Sequence, residues 1–420
     1  MNEILSFWAQ WLRPSAGLPT VQWSLLLAVA AMAGYLTQRH TGLPKVVGYS
    51  LVGTAAGLAG FSGAVWPLQG IGLFLLELGV AIVLFECGGR IPLRWFRHNP
   101  MVLVQSIAES VLTYFAVYWV LVWLQLPPQA AGPLALVALA ASPAVLTRVV
   151  ADTRAAGPVT ERAIVLTTLS TLYALTLGSA KAELINRQSL TLLETISPVV
   201  VVLGVSILVA AALSLVLRLA LRFMSPTSEN TSMLFLALVA AGTAVAAHMG
   251  GSAPLAALLG GMMLKQLNPR PWAWPRQLGN ASSLLTMLMF VLVSTVAAQA
   301  DWSAPVAGVV LALIAVRLLA KALGVALGNV GSGASWKQAL WVGCAMTPMS
   351  SIALLIASQF VLASPSTGHV IAGVALPAIL LMEVFGAVIA TVAIYRAGES
   401  SKPWAPLTRS SNNGENSRES

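Results

Sequence analysis

Two stretches of the chain set a proline among small residues and hydroxyls inside otherwise apolar sequence. Ala138 to Val150 reads ALAASPAVLTRVV, and Gly343 to Ala357 reads GCAMTPMSSIALLIA. Proline lacks a backbone donor and frees a carbonyl one turn back, so a helix through either stretch is predicted to break at Ser142-Pro143 and at Thr347-Pro348. In lipid such a break must be buried or line a cavity. Freed carbonyls and the hydroxyls of Ser142, Thr147, Thr347, Ser350 and Ser351 would then be oxygen ligands for a desolvated cation. The competing reading is that each hydroxyl bonds its own backbone four residues earlier.

Charge inside apolar sequence is the second chemical signal. Lys321 falls in the middle of an apolar run, where a charged side chain costs about 2.5 to 3.5 kcal/mol on insertion scales and is usually paired or functional. Three resolutions are open: a carboxylate partner, half-helix carbonyl ends, or a neutral amine. Glu383, in LLMEVFGAVIA, is the first acid to consider as a carrier of cation or proton; alternatively it pairs with a basic residue or snorkels to one face. Glu86 lies one to two turns from Arg90 and Arg94, and pairing with one of them is its simpler role. Glu77 and Glu109 come after these, each able to pair across the interior of a bundle. The four histidines have no metal-ligand spacing, Cys87 and Cys344 both fall in apolar segments, and no phosphate-cradling loop appears, so no metal, cofactor or enzymatic chemistry is expected.

The elements that must carry these groups are membrane helices. With 57% hydrophobic and 9% charged residues the chain is far from a soluble globule, whose charged share is about 25%. The net charge of +9 would suggest nucleic acid in a soluble domain. Here it reflects cytoplasmic loops rich in Lys and Arg. About thirteen apolar segments are long enough to span: 20–37, 44–63, 67–88, 100–124, 132–150, 161–180, 192–217, 231–248, 251–266, 281–299, 304–328, 336–361 and 367–395. Alternate loops carry the positive charge, from Arg39 and Lys45 through Arg90, Arg94 and Arg97 to Arg396 and Lys402, with only Lys181 and Arg187 out of pattern. That places the N-terminus outside and the C-terminus in the cytoplasm of a bacterial inner membrane. Tryptophans such as Trp66, Trp95 and Trp302 gather near span ends as an aromatic belt. Residues 1–19 form an N-terminal segment without a signal-peptide pattern, and 397–420 a polar cytoplasmic tail expected to be disordered.

The two proline breaks fall seven spans apart, so the helices that carry them run in opposite directions. The expected fold is therefore an all-α polytopic membrane protein with inverted repeats at about 20–180 and 231–395, a linker helix at 192–217, and two discontinuous helices crossing near the midplane. Paired breaks of this kind mark the binding site of a secondary transporter.

Several motifs, taken in order, resemble the cation:proton antiporter superfamily, in particular its monovalent cation:proton antiporter-2 branch with a sodium/hydrogen exchanger membrane domain. Leu43-Pro44-Lys45-Val46-Val47-Gly48-Tyr49 is similar to the second-helix signature, LGVAIVLFECGG from Leu78 to the third helix, and SAPLAALLGGMML from Ser252 to a later small-residue helix. Arg317 and Lys321 fit basic positions of the eleventh helix, and the resemblance covers about Thr20 to Ala397. It implies a homodimer that exchanges a monovalent cation for protons by alternating access, without a cofactor. It also implies one or two adjacent carboxylates on the sixth helix, which bind cation and proton in turn and face the eleventh-helix lysine. In this chain Ser170 and Thr171 stand at those positions. Neither hydroxyl titrates in the physiological range, so the usual exchange chemistry cannot run there. If the chemistry survives, another acid has taken it over, with Glu383 the first candidate. The alternatives are anion or uncoupled ion transport through the same scaffold, or a membrane sensor or partner subunit that has lost transport.

Overall fold

The structure, a computed structural model, describes residues 19–402 apart from 62–65, 67–69, 92–95, 97–98, 186–190, 226–227, 269–275, 301 and 331. The described residues are helical almost throughout, and their one β contact is the bridge between Ala155 and Ser400. The first nine helices are α1 (Pro19–Thr41), α2 (Lys45–Leu58), α3 (Gly70–Gly89), α4 (Met101–Trp123), α5 (Pro128–Leu139), α6 (Pro143–Thr153), α7 (Pro158–Leu184), α8 (Leu192–Phe223) and α9 (Glu229–His248). The remainder are α10 (Ala253–Leu267), α11 (Arg276–Ala297), α12 (Ala304–Leu327), α13 (Trp336–Ala345), α14 (Ser351–Ala363) and α15 (Pro365–Arg396). Among the described residues ten helical segments, counting 128–153 as one, are long and apolar enough to cross a membrane by themselves. Each predicted span coincides with one helix or with one of the broken pairs α5/α6 and α13/α14.

The breaks fall where proline and small residues predict them. Helix α5 ends at Leu139 and α6 restarts with Pro143 in its first turn, a position where the missing donor costs nothing. The Ser142 hydroxyl caps α6 by accepting from the Val145 N–H. Helix α13 ends at Ala345, and residues 347–350 have no regular structure before α14 begins at Ser351.

Two packing groups follow from the contacts. Helix α3 packs most extensively on α10, and α2 on α11, forming a scaffold with α1 and α9. Helix α12 packs most extensively on α4, and around this pair α5, α6, α7 and α13 to α15 build a bundle that contains both breaks. Small residues let these backbones approach, as membrane helix interfaces generally require. A Cβ at Gly324 would lie 2.4 Å from Cα of Glu109, so glycine is what allows α12 to lie against α4. A Cβ at Gly386 would lie 2.7 Å from Cα of Pro348, which lets α15 rest on the second break.

The predicted tail begins as part of the fold. The Glu399 carboxylate accepts from the Val159 and Thr160 N–H groups, both at 2.7 Å, and so caps α7 at its partially positive N-terminus. Lys402 donates to the Asp152 carbonyl at 2.6 Å. Residues 403–420, the N-terminal 1–18 and Trp95 lie outside the described residues.

Candidate ion-binding site

Both breaks expose carbonyls at helix C-termini, which carry partial negative charge and need donors where water is absent. Arg317, fully buried on α12, supplies them. Its guanidinium donates to the Ala138 carbonyl at 2.7 Å and the Ala140 carbonyl at 2.9 Å on the first break, and to the Thr347 carbonyl at 2.5 Å and the Pro348 carbonyl at 3.5 Å on the second. One planar cation thus pins the two breaks face to face, which places the discontinuous helices against each other as expected. The spread of guanidinium donors makes this possible; an ammonium could not reach both breaks.

One turn further along α12, Lys321 is fully buried and meets Glu109 of α4 at 2.5 Å. Its ammonium also donates to the Leu139 carbonyl at 3.3 Å. Two of the three resolutions left open for Lys321 therefore hold together: a carboxylate partner and a half-helix carbonyl end. The acid, however, is Glu109 and not Glu383. The other Glu109 oxygen accepts from Ser170 at 2.5 Å and from Ser110 at 3.2 Å, and Thr113 donates to the first oxygen at 3.3 Å. This carboxylate has no spare capacity. Ser170 on α7 presents its hydroxyl to Glu109. Thr171, one residue on, turns toward the first break and donates to the Ala141 carbonyl at 3.1 Å and the Thr167 carbonyl at 2.8 Å.

Glu383 lies elsewhere. It is fully buried on α15, and its two oxygens accept from Ser350 of the second break at 3.2 Å and from Ser294 of α11 at 3.0 Å. Ser50 of α2, also buried, adds a third hydroxyl close by, without ideal hydrogen-bond geometry. No basic side chain pairs with Glu383 among the described residues. Its hydroxyl neighbours come from both packing groups, Ser350 from the bundle and Ser294 and Ser50 from the scaffold. Glu383 therefore sits on the seam between them.

The remaining candidates divide cleanly. Thr147 bonds back to the Pro143 carbonyl at 2.9 Å, and Ser142 is a helix cap, so both serve local structure. The Thr347 hydroxyl reaches only the Gly386 carbonyl, at 3.5 Å. Ser351 is buried with no hydrogen-bond partner, beside Ser350. Glu86 pairs with Arg90 at 2.7 Å and accepts from Ser282 at 2.8 Å, as its spacing predicts. Glu77 is exposed on α3, away from both buried carboxylates. Among the described residues no cluster of three or more His, Cys, Asp or Glu could hold a metal ion. Sequence reasoning underweighted Glu109 and missed Ser294; the signal for Glu109 was the need of a buried Lys321 for an acid somewhere.

A family model described as sodium/hydrogen exchanger, transmembrane, matches residues 27–397. The chain belongs to this family. It is thus an integral membrane protein of an ion-transport family, not of an enzyme family. The structure of the sodium proton antiporter MjNhaP1 from Methanocaldococcus jannaschii at pH 8 is similar, with a TM-score of 0.66 over 91% of this chain and 97% of that one at 15% identity. A 3D EM map of the same antiporter also gives a TM-score of 0.66, over 92% and 97% of the two chains at 17% identity. At such identity the likeness is one of fold. Comparison with curated proteins finds no match.

Proposed function

We propose that the protein exchanges a monovalent cation for protons across the membrane by alternating access, and that Glu383 is the carboxylate that carries them in turn. The observation that carries this reading is the position of Glu383: a fully buried acid without a basic partner, surrounded by hydroxyls, at the seam between bundle and scaffold. A carboxylate so placed can hold a proton or a cation, but not both. Serine hydroxyls that donate to the empty carboxylate can rotate and offer lone pairs to a bound ion. Moving the bundle against the scaffold would open the seam first to one side and then to the other.

The same reading treats residues 20–180 and 231–395 as inverted repeats joined by the linker helix 192–217. In such repeats α15 is the counterpart of α7, so Glu383 would be the sixth-helix acid transferred to the pseudo-symmetric helix. Glu109 would have inherited the structural half of that acid's work by neutralising Lys321, while Arg317 holds the breaks in place. Seam contacts such as Arg148 donating to Ser283 at 2.9 Å and to Thr286 at 3.1 Å fit a latch that closes one side. Homodimerisation through the scaffold, an external N-terminus and a cytoplasmic C-terminus belong to this reading.

Purified protein in proteoliposomes should move protons when Na⁺, K⁺ or Li⁺ is added, read by a pH-sensitive dye. Flux appearing only in Thr171→Asp would overturn the transfer of function to Glu383. It would leave an antiporter scaffold without its acid, suited to anion transport or to a sensor role.

A further inference from the structure

Helices α4, α5, α7 and α8 line a cavity of about 650 Å³ whose walls are almost wholly apolar, with Phe115, Leu136, Leu177 and Leu203 among them. All four helices belong to segments apolar and long enough to span, so the cavity opens to hydrocarbon rather than to water. One cation lines it: Lys181, exposed in the last turn of α7. Lys181 is also out of pattern in the loop-charge alternation, and among the described residues it has neither an ion-pair nor a hydrogen-bond partner. The nearby acids do not serve it. Glu183 is two residues on and does not share its helix face, and Glu194 closes the capping box of α8 with Thr191.

We propose that this cavity binds an anionic phospholipid, with one acyl chain between the four helices and the headgroup phosphate on Lys181. An apolar slot open to the bilayer selects a lipid chain, and an unpaired ammonium at its end selects a negative headgroup over a zwitterionic one. The site adjoins the buried charges. Ser110 lines the cavity and donates to Glu109 at 3.2 Å, so the chain would exclude water from the wall behind the Glu109–Lys321 pair.

The test is native mass spectrometry of the full chain in detergent, titrated with phosphatidylglycerol or with phosphatidylcholine of the same acyl composition. The wild type should bind phosphatidylglycerol about fivefold more tightly, the effect of one surface cation near an anionic lipid. Lys181→Gln should abolish that preference, and Leu177→Trp, which fills the slot, should weaken both lipids. Both side chains are exposed, so the variants should melt as the wild type does without added lipid. Equal binding of the two lipids by the wild type, a preference that survives Lys181→Gln, or unchanged binding in Leu177→Trp would each overturn the assignment.

Discussion

Glu109 and Glu383 are both fully buried and lie in opposite surroundings. Glu109 is enclosed within one bundle, where it touches a lysine and three hydroxyls, all contributed by that same bundle. Glu383 touches hydroxyls alone, contributed by two bodies that pack side by side. The first arrangement resolves a charge problem and leaves nothing for a ligand. The second leaves an acid that must either hold a proton or meet a cation that these hydroxyls do not supply. In membrane proteins an intramembrane acid is a functional candidate by default. On the function proposed above, its partners and the boundary it sits on decide whether it carries ions or supports the fold.

That contrast can be broken by exchange of roles. The largest effect is expected at the buried pair: Glu109→Gln or Lys321→Met alone should cost about 3 to 5 kcal/mol, because the surviving charge is left uncompensated. The double variant Glu109→Gln with Lys321→Met should recover most of it. Thermal unfolding in detergent reads both. Glu383→Gln should instead melt within about 1 kcal/mol of wild type, since the amide retains an acceptor for a serine, and yet abolish cation-driven proton flux.

Smaller effects sharpen the second site. Ser350→Ala and Ser294→Ala should each raise the half-saturating cation concentration about tenfold, the scale of one hydrogen bond or ligand to a charged group. Because protons compete for the same carboxylate, half-saturation should also rise as pH falls in wild type. A cation affinity independent of pH would separate the two ligands. Arg148→Ala removes two neutral-acceptor hydrogen bonds across the seam and should alter turnover by about threefold with little change in affinity.

Much of the architecture was legible before any coordinates. Hydrophobic length located the helical segments, and proline among small residues located both breaks. Proline alone was not sufficient, since Pro133, Pro198 and Pro377 lie within continuous helices. What distinguishes Pro143 and Pro348 is Arg317, whose donors take up carbonyls at the second break 30 positions on and at the first break 179 positions back. The candidate site was half legible. Glu383, Lys321, Ser350 and Ser170 are named by intramembrane charge, by flanking a break or by the family resemblance. The pairing of Lys321 with Glu109 depends on how closely α4 approaches α12, which Gly324 permits but a one-dimensional pattern does not reveal. Ser294 was invisible because nothing in its helix marks the face that meets α15.

The central claim is that Glu383, not a sixth-helix residue, couples cation to proton. Proton flux in proteoliposomes loaded with one cation at a time, compared between wild type and Glu383→Gln of unchanged melting temperature, tests it most directly. Cation-dependent flux in the wild type and none in the variant is the predicted result. Coupled flux that persists in Glu383→Gln would contradict the account.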